Sequence, residues 1–158
     1  MQLKWLLSHT RGYLELGMVE EAAEELDRIP ELSAGEFDVR VLRALVLQEQ
    51  KQWVRLVPLA SGLAREKPED AGWWIMWAYA TRRSVSLTAA EKILLEAETN
   101  HPKEATIQFN LGCYACQRGD LVTARNRVDR AIALDEQFRD SLATDPDLAP
   151  LRENETKA

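Results

Sequence analysis

Glycine and proline are scarce in this chain, 7 and 6 of 158 residues, and cysteine is rarer still at 2. So few chain breakers exclude collagen-like and low-complexity architectures, and two cysteines three apart cannot staple a fold of this size. Free thiols suit a reducing compartment, so a cytoplasmic location is expected. Long apolar runs are missing too: the stretches 44–47 and 72–80 fall far short of the roughly 18 residues that span a bilayer. The first ten residues lack the basic start and sustained apolar core of an export signal, so the chain is expected to be soluble and unexported, with no membrane partner. A cationic excess is also absent. Lys and Arg number 20 against 26 Asp and Glu, a net charge of −6. Neutralising a polyanion needs a local surplus of cations, so nucleic acid is a poor partner. No glycine-rich phosphate loop, nucleophile elbow or histidine-based metal motif is present.

What is present is helical periodicity. Hydrophobic residues make up 46% of the chain, and they recur three and four apart rather than in alternation. The spacing predicts an all-α chain with helices over 3–16, 19–28, 36–49, 53–65, 70–82, 87–99, 105–117 and 121–133. Ser33 with Glu36, and Thr88 with Glu91, have the spacing of reciprocal caps, and Asp120 stands just before an apolar-periodic stretch. Pro68 and Pro102 suit a first helical turn, where the missing N–H costs nothing.

Those two prolines stand 34 residues apart, and the same step orders the rest of the chain. It aligns Trp5, Val39, Trp73 and Ile107 in an apolar column. Thr10, Ala44, Ala78 and Gly112 form a small-residue column, as needed where two helices cross closely. Val19, Trp53, Leu87 and Leu121, then Ala22, Leu56, Ala90 and Ala124, then Ile29, Leu63, Ala97 and Ala131 complete the register. A helix pair cannot bury its apolar stripe alone, so each copy must stack on its neighbours.

The chain therefore resembles the tetratricopeptide repeat family, whose unit is a 34-residue helix–turn–helix. Asn110-Leu111-Gly112, Gly119-Asp120, Ala124, Ala131 and Leu134-Asp135 carry the resemblance in the fourth copy. Trp74, Trp77, Ala78, Ala90, Ala97 and Pro102 carry it in the third, and Tyr13, Gly17 and Ala22 in the first. The second copy departs from the pattern: Arg40 and Arg43 occupy core columns, Lys51 replaces the turn glycine, and Leu56 fills a place usually kept small. The resemblance implies a right-handed superhelix of antiparallel helix pairs, with repeats over 3–36, 37–70, 71–104 and 105–136. A capping segment over 137–151 would complete a single domain of residues 1–151, followed by a flexible polar tail, 152–158.

In that family the first helices of successive repeats line a concave groove. Carried over, the groove would present Lys4, Leu7 and Arg11, then Val41, Leu45 and Gln48, then Ile75, Tyr79, Arg82 and Arg83, and finally Phe109, Asn110, Cys113 and Cys116. This face is apolar at its centre and locally basic, suited to a protein or peptide with apolar anchors and an acidic flank. Packing of Ile75, Tyr79 and Phe109 against the next repeat or the C-terminal helix is the competing reading. The Lys and Asn clamp that some relatives use for a terminal carboxylate is not matched at Leu7, Arg11, Leu42, Gly72 and Met76.

Other constellations favour packing over chemistry. Trp74 and Trp77 share one helical face in core columns, so they read as core rather than a cation cage. Cys113-Tyr-Ala-Cys116 lies within a helix, without a second pair or a nearby histidine, so no metal, redox centre or cofactor is expected. The paired carboxylates Glu20-Glu21 and Glu24-Glu25 read as a solvated helix face, and so does the arginine stripe Arg125, Arg127 and Arg130. His9 falls in a core column and His101 in a turn. The expectation is a non-enzymatic interaction module or adaptor, monomeric or weakly self-associating. The alternatives are a small chaperone that shields an apolar segment of a secreted partner, a structural homo-oligomer, or a ligand-binding protein or enzyme.

Overall fold

Eight long helices follow the eight periodic stretches: α1 (Leu3–Glu15), α2 (Val19–Asp27), α3 (Phe37–Glu49), α4 (Trp53–Glu66), α5 (Ala71–Ser84), α6 (Leu87–Asn100), α7 (Ala105–Gln117) and α8 (Leu121–Leu134). Two short ones follow, α9 (Phe138–Thr144) and α10 (Ala149–Thr156), with a 3-10 turn, Pro146–Leu148, between them. The computed structural model describes residues 3–157, and among these there is no strand. No described helix is long and apolar enough to cross a membrane.

The turns repeat with the sequence. The N–H of Met18 donates to the carbonyl of Tyr13 at 2.8 Å, Gln52 to Leu47 at 2.9 Å, and Asp120 to Ala115 at 3.0 Å. Each bond closes the last turn of a first helix through a left-handed residue, as in a Schellman cap. Gly17 and Gly119 adopt this conformation with φ of 72° and 83°, and Lys51, in the register position of a glycine, is forced into it at φ 55°.

Capping differs in places from the spacing-based expectation. Asp120 does cap α8, accepting from the N–H of Thr123 at 3.1 Å. At α6 the cap is Ser86, which accepts from Ala89 at 3.0 Å, and Glu91 instead pairs with Arg118 at 3.2 Å. Ser33 belongs to a 3-10 turn, and Glu36 caps α3 by position without a side-chain bond. Pro68 and Pro102 lie in the turns before α5 and α7 rather than in a first helical turn.

The chain divides into two compact units, Met1–Ser84 and Val85–Ala158, with the boundary between the two helices of the third repeat. The first unit holds α1 to α5 around two apolar clusters. Leu26, Ile29, Val39, Leu42 and Val46 form one, with Leu3, Leu6 and Tyr13 packed against it. Ala44, Leu47, Leu56, Ala60, Leu63 and Ala80 form the other, with Trp53, Trp73, Met76 and Trp77 packed on it. Trp74 is buried, and its indole N–H donates to the carbonyl of Pro68 at 3.2 Å, which satisfies the one polar atom of a core tryptophan.

The two core-column arginines of the second repeat escape burial by reaching helix ends. Arg40 bonds the carboxylate of Glu66 and the carbonyl of Gly35. Arg43 reaches the carbonyl of Leu26 and the carboxylate of Asp27. Both are thereby half-buried and paired instead of desolvated. His9 is likewise not a core residue: it is half-buried, with its ring 3.7 Å from that of the exposed Trp5.

The second unit is organised around α7, which is buried on nearly all sides. Gly112 lets α8 approach: a Cβ there would lie 2.8 Å from Cγ2 of Val128 and 3.3 Å from the carbonyl oxygen of Ala124. The C-terminal residues fold back on this pair. Leu148 and Leu151 are buried, Arg152 donates to the carbonyls of Leu142 and Asp145, and Arg125 pairs with Glu155. The expected mobile tail over 152–158 is thus helical through Thr156, because its arginine and glutamate find partners on the folded unit.

Candidate functional site

In the first unit, Lys4, Leu7 and Arg11 recur at three- and four-residue spacing on α1 and share one face. With Leu3, Ser8, Gly12 and Glu15, and with Glu36 and Asp38 from the start of α3, they line a cleft of about 830 Å³. Two cations face three carboxylates there, so this end of the expected groove is mixed in charge rather than basic. On α3, Val41, Leu45 and Gln48 are half-buried, and the first two pack partly into the apolar clusters.

A second group of side chains in the first unit lies on α5 and at the start of α4. Ile75 is half-buried, while Tyr79 is 39% exposed. The rings of Tyr79 and Trp53 meet edge to face, with centroids 5.4 Å apart. Arg83, one turn beyond Tyr79, sets its guanidinium carbon 3.4 Å from the Tyr79 ring centre and 5.4 Å from that of Trp53. Arg83 is exposed, and no carboxylate among the described residues is paired with it. Stacking on aromatic faces holds a guanidinium while leaving its N–H edges to solvent or to a carboxylate. Arg82 is half-buried. The repeat register places Trp53 in a core column; its role beside Arg83 is signalled only by the i, i+4 spacing of Tyr79 and Arg83. The third aromatic of α5 is also covered by a cation, since Arg65 stands 5.1 Å over the ring of Trp77.

In the second unit the expected groove residues are not open. Phe109 is 5% exposed and stacks on Phe138 at 4.7 Å, and Cys113 is 3% exposed. Cys116 is buried and Asn110 half-buried. The reading of Phe109 and Cys113 as open groove surface is corrected here: the C-terminal segment covers them, because α7 has too much apolar surface to leave one side wet. Gln117 fastens this cover by donating to the carbonyl of Asp147 at 2.8 Å. Burial holds the thiol of Cys116 above its ordinary pKa, and the charge of Asp147 adds to the shift. Cys113 lies against Asp145 and Asp147, with one donor atom of each within 4.8 Å of the others.

The arginines of α8 are engaged as well. Arg127 bonds Glu98 and, at 2.8 Å, the amide oxygen of Gln108, whose nitrogen bonds Glu98 in turn. Gln108 is 1% exposed, so this triad satisfies a buried amide where the repeat pattern elsewhere places Trp74. Arg130 donates to the carbonyl of Pro102 at 3.0 Å. These residues, with Thr123 and Asn126, line a polar cleft of about 620 Å³. Burial alone would raise the pKa of Glu98, but the hydrogen bonds from Arg127 and Gln108 and the charges of Arg127 and Arg130 bring it below its usual value.

No family model and no curated protein matches the chain. Solved structures do. MamA from Desulfovibrio magneticus RS-1, solved from its position 41 to its end, superposes with a TM-score of 0.75 at 20% identity, covering 84% of this chain and 75% of its own. TTC0263, a thermophilic TPR protein from Thermus thermophilus, has a TM-score of 0.69 at 17% identity and covers 94% of this chain and 80% of its own. YrrB, described as a TPR protein with an unusual peptide-binding site, has a TM-score of 0.68 at 18% identity, covering 80% of this chain and 66% of its own. The fold is thus an all-α solenoid of the TPR-like class, as the 34-residue register implied.

Proposed function

We propose that this chain is a protein-interaction module, not an enzyme, and that the α1, α3 and α5 face of its first unit binds an extended segment of another protein. The observation that carries this reading is Arg83, exposed and stacked on Tyr79 and Trp53, with the half-buried Ile75 one turn before Tyr79 on the same helix. A cation already stacked on aromatic rings loses less freedom on binding than a mobile lysine, so it suits recognition of a partner carboxylate. Ile75, Tyr79, Leu45 and Val41 supply apolar contact for neighbouring anchors. Arg82 and Gln48 add polar contacts. At the far end of the face, Lys4 and Arg11 are offset by Glu15, Glu36 and Asp38. The acidic part of the partner therefore belongs at the α5 end, and a mixed or basic part at the α1 end. The TPR-like fold supports the reading by likeness: YrrB, of the same fold, is described as having a peptide-binding site.

Selection from a displayed random-peptide library against the full chain tests it. Enriched peptides are expected to carry Asp or Glu beside aliphatic residues and to lose binding when the chain carries Arg83→Gln. Absence of enrichment, or enriched peptides that bind Arg83→Gln as well as wild type, would refute the assignment.

A further inference from the structure

The Cys113 thiol is met by the turn of residues 145–147, more than thirty residues later in the chain. Its sulfur and one oxygen from each of Asp145 and Asp147 all lie within 4.8 Å of one another. We propose that these three side chains form a binding site for a borderline divalent metal ion, zinc by preference, which fastens the C-terminal segment to α7.

The donor set is the first support. One thiolate and two carboxylates are all accepted zinc ligands, and three protein ligands leave room for water to complete a tetrahedron. Calcium and magnesium prefer all-oxygen shells, so the sulfur selects against them. Spacing is the second. Donors about 2.0–2.3 Å from zinc stand roughly 3.3–3.8 Å apart around a tetrahedral ion, so closure needs an inward movement of no more than about 1.5 Å.

Preorganisation is the third support. The Asp145 carboxylate accepts the N–H of Asp147 at 2.9 Å, Gln117 holds the Asp147 carbonyl at 2.8 Å, and Arg152 holds the carbonyls of Asp145 and Leu142 at 2.7 and 3.0 Å. These contacts fix the turn against α7. Burial is graded in the right sense for access: Cys113 is buried, while both aspartates are half-buried, so an ion enters from the carboxylate side. Binding exchanges the thiol proton, released to solvent, for a sulfur–metal bond, with no change of oxidation state. Cys116 lies outside the set of three, and its burial keeps that thiol protonated.

Cobalt titrated into the reduced full chain tests the site, because a cobalt–thiolate bond absorbs in the near ultraviolet. The expected result is a charge-transfer band that saturates at one equivalent, is displaced by zinc and survives excess magnesium. Cys113→Ser abolishes the band, whereas Cys116→Ser keeps it. Asp147→Asn, a half-exposed and shape-conserving change, weakens zinc binding at least about tenfold with helicity unchanged by circular dichroism. Saturating zinc raises the melting temperature of the wild type more than that of Asp147→Asn. Absence of the band, its persistence in Cys113→Ser, or zinc affinity unaltered by Asp147→Asn overturns the proposal.

Discussion

Alanine placed at two helical glycines should have opposite effects. Replacing glycine by alanine inside a helix gains about 0.8–1 kcal/mol from backbone entropy alone. At Gly12 on α1 the new Cβ meets nothing within 4 Å, so Gly12→Ala should realise the whole gain. At Gly112 the new Cβ would lie 2.8 Å from Cγ2 of Val128, 3.3 Å from the Ala124 carbonyl and 3.3 Å from Cβ of Arg127. Val128 is fully buried in α8, and a β-branched residue in a helix has essentially one rotamer, so it cannot turn aside. The helices must separate instead, at an overpacking cost of about 1–3 kcal/mol. Net of the propensity gain, Gly112→Ala should destabilise by roughly 1 kcal/mol, which sets the two variants about 2 kcal/mol apart. Urea unfolding followed by far-UV circular dichroism reads this over the whole chain. All five tryptophans precede residue 78, so their emission reports the first unit separately, and the Gly112→Ala loss should be smaller there. Val128→Ala in the Gly112→Ala background should combine less than additively, by at least about 0.5 kcal/mol. If Gly112→Ala stabilises the chain as much as Gly12→Ala, the close approach of α7 and α8 is refuted.

Three other outcomes are expected. Lys51→Gly removes a side chain from the left-handed region and should stabilise by about 1 kcal/mol in the same urea assay. Glu98 has a depressed pKa in the folded chain, so its contribution is present above the ordinary carboxylate value of 4.5 and is lost as the pH falls through the lower folded value. The stability difference between wild type and Glu98→Gln should accordingly be full at pH 7 and shrink below about pH 4.5 in pH-dependent urea titrations. Leu148→Ala empties a fully buried site over α7; it should cost about 2–5 kcal/mol and speed labelling of Cys113 by a thiol reagent under native conditions.

Much of the fold was legible because its determinants are local. The bounds of α7 match the periodicity at both ends, and those of the seven other long helices fall within two residues, since the turn residues between them recur with the repeat. Lys51 was recognisable as a substitute for glycine from register alone, and its φ follows from that. What escaped depends on residues outside the columns. Phe138, Leu148 and Leu151 follow the last repeat, so no column announced that they would cover Phe109 and Cys113. Gln108 and Arg127 sit in positions that give no apolar signal, and only their meeting with Glu98 explains a buried amide. The charge at the α1 end depends on Glu36 and Asp38, which flank the junction of the first and second repeats and lie outside the aligned columns. Trp53 followed a core column, although its ring also flanks Arg83.

Tryptophan emission during titration of a selected acidic peptide tests the binding account most directly, because Trp53 stands beside the proposed carboxylate contact. Loss of a charge-assisted hydrogen bond costs about 1.5–3 kcal/mol, so Arg83→Gln should raise Kd by roughly 10- to 100-fold while lowering the melting temperature by no more than about 4 °C, the loss of its exposed stacking. An emission change and a Kd that are the same for wild type and Arg83→Gln would contradict the account.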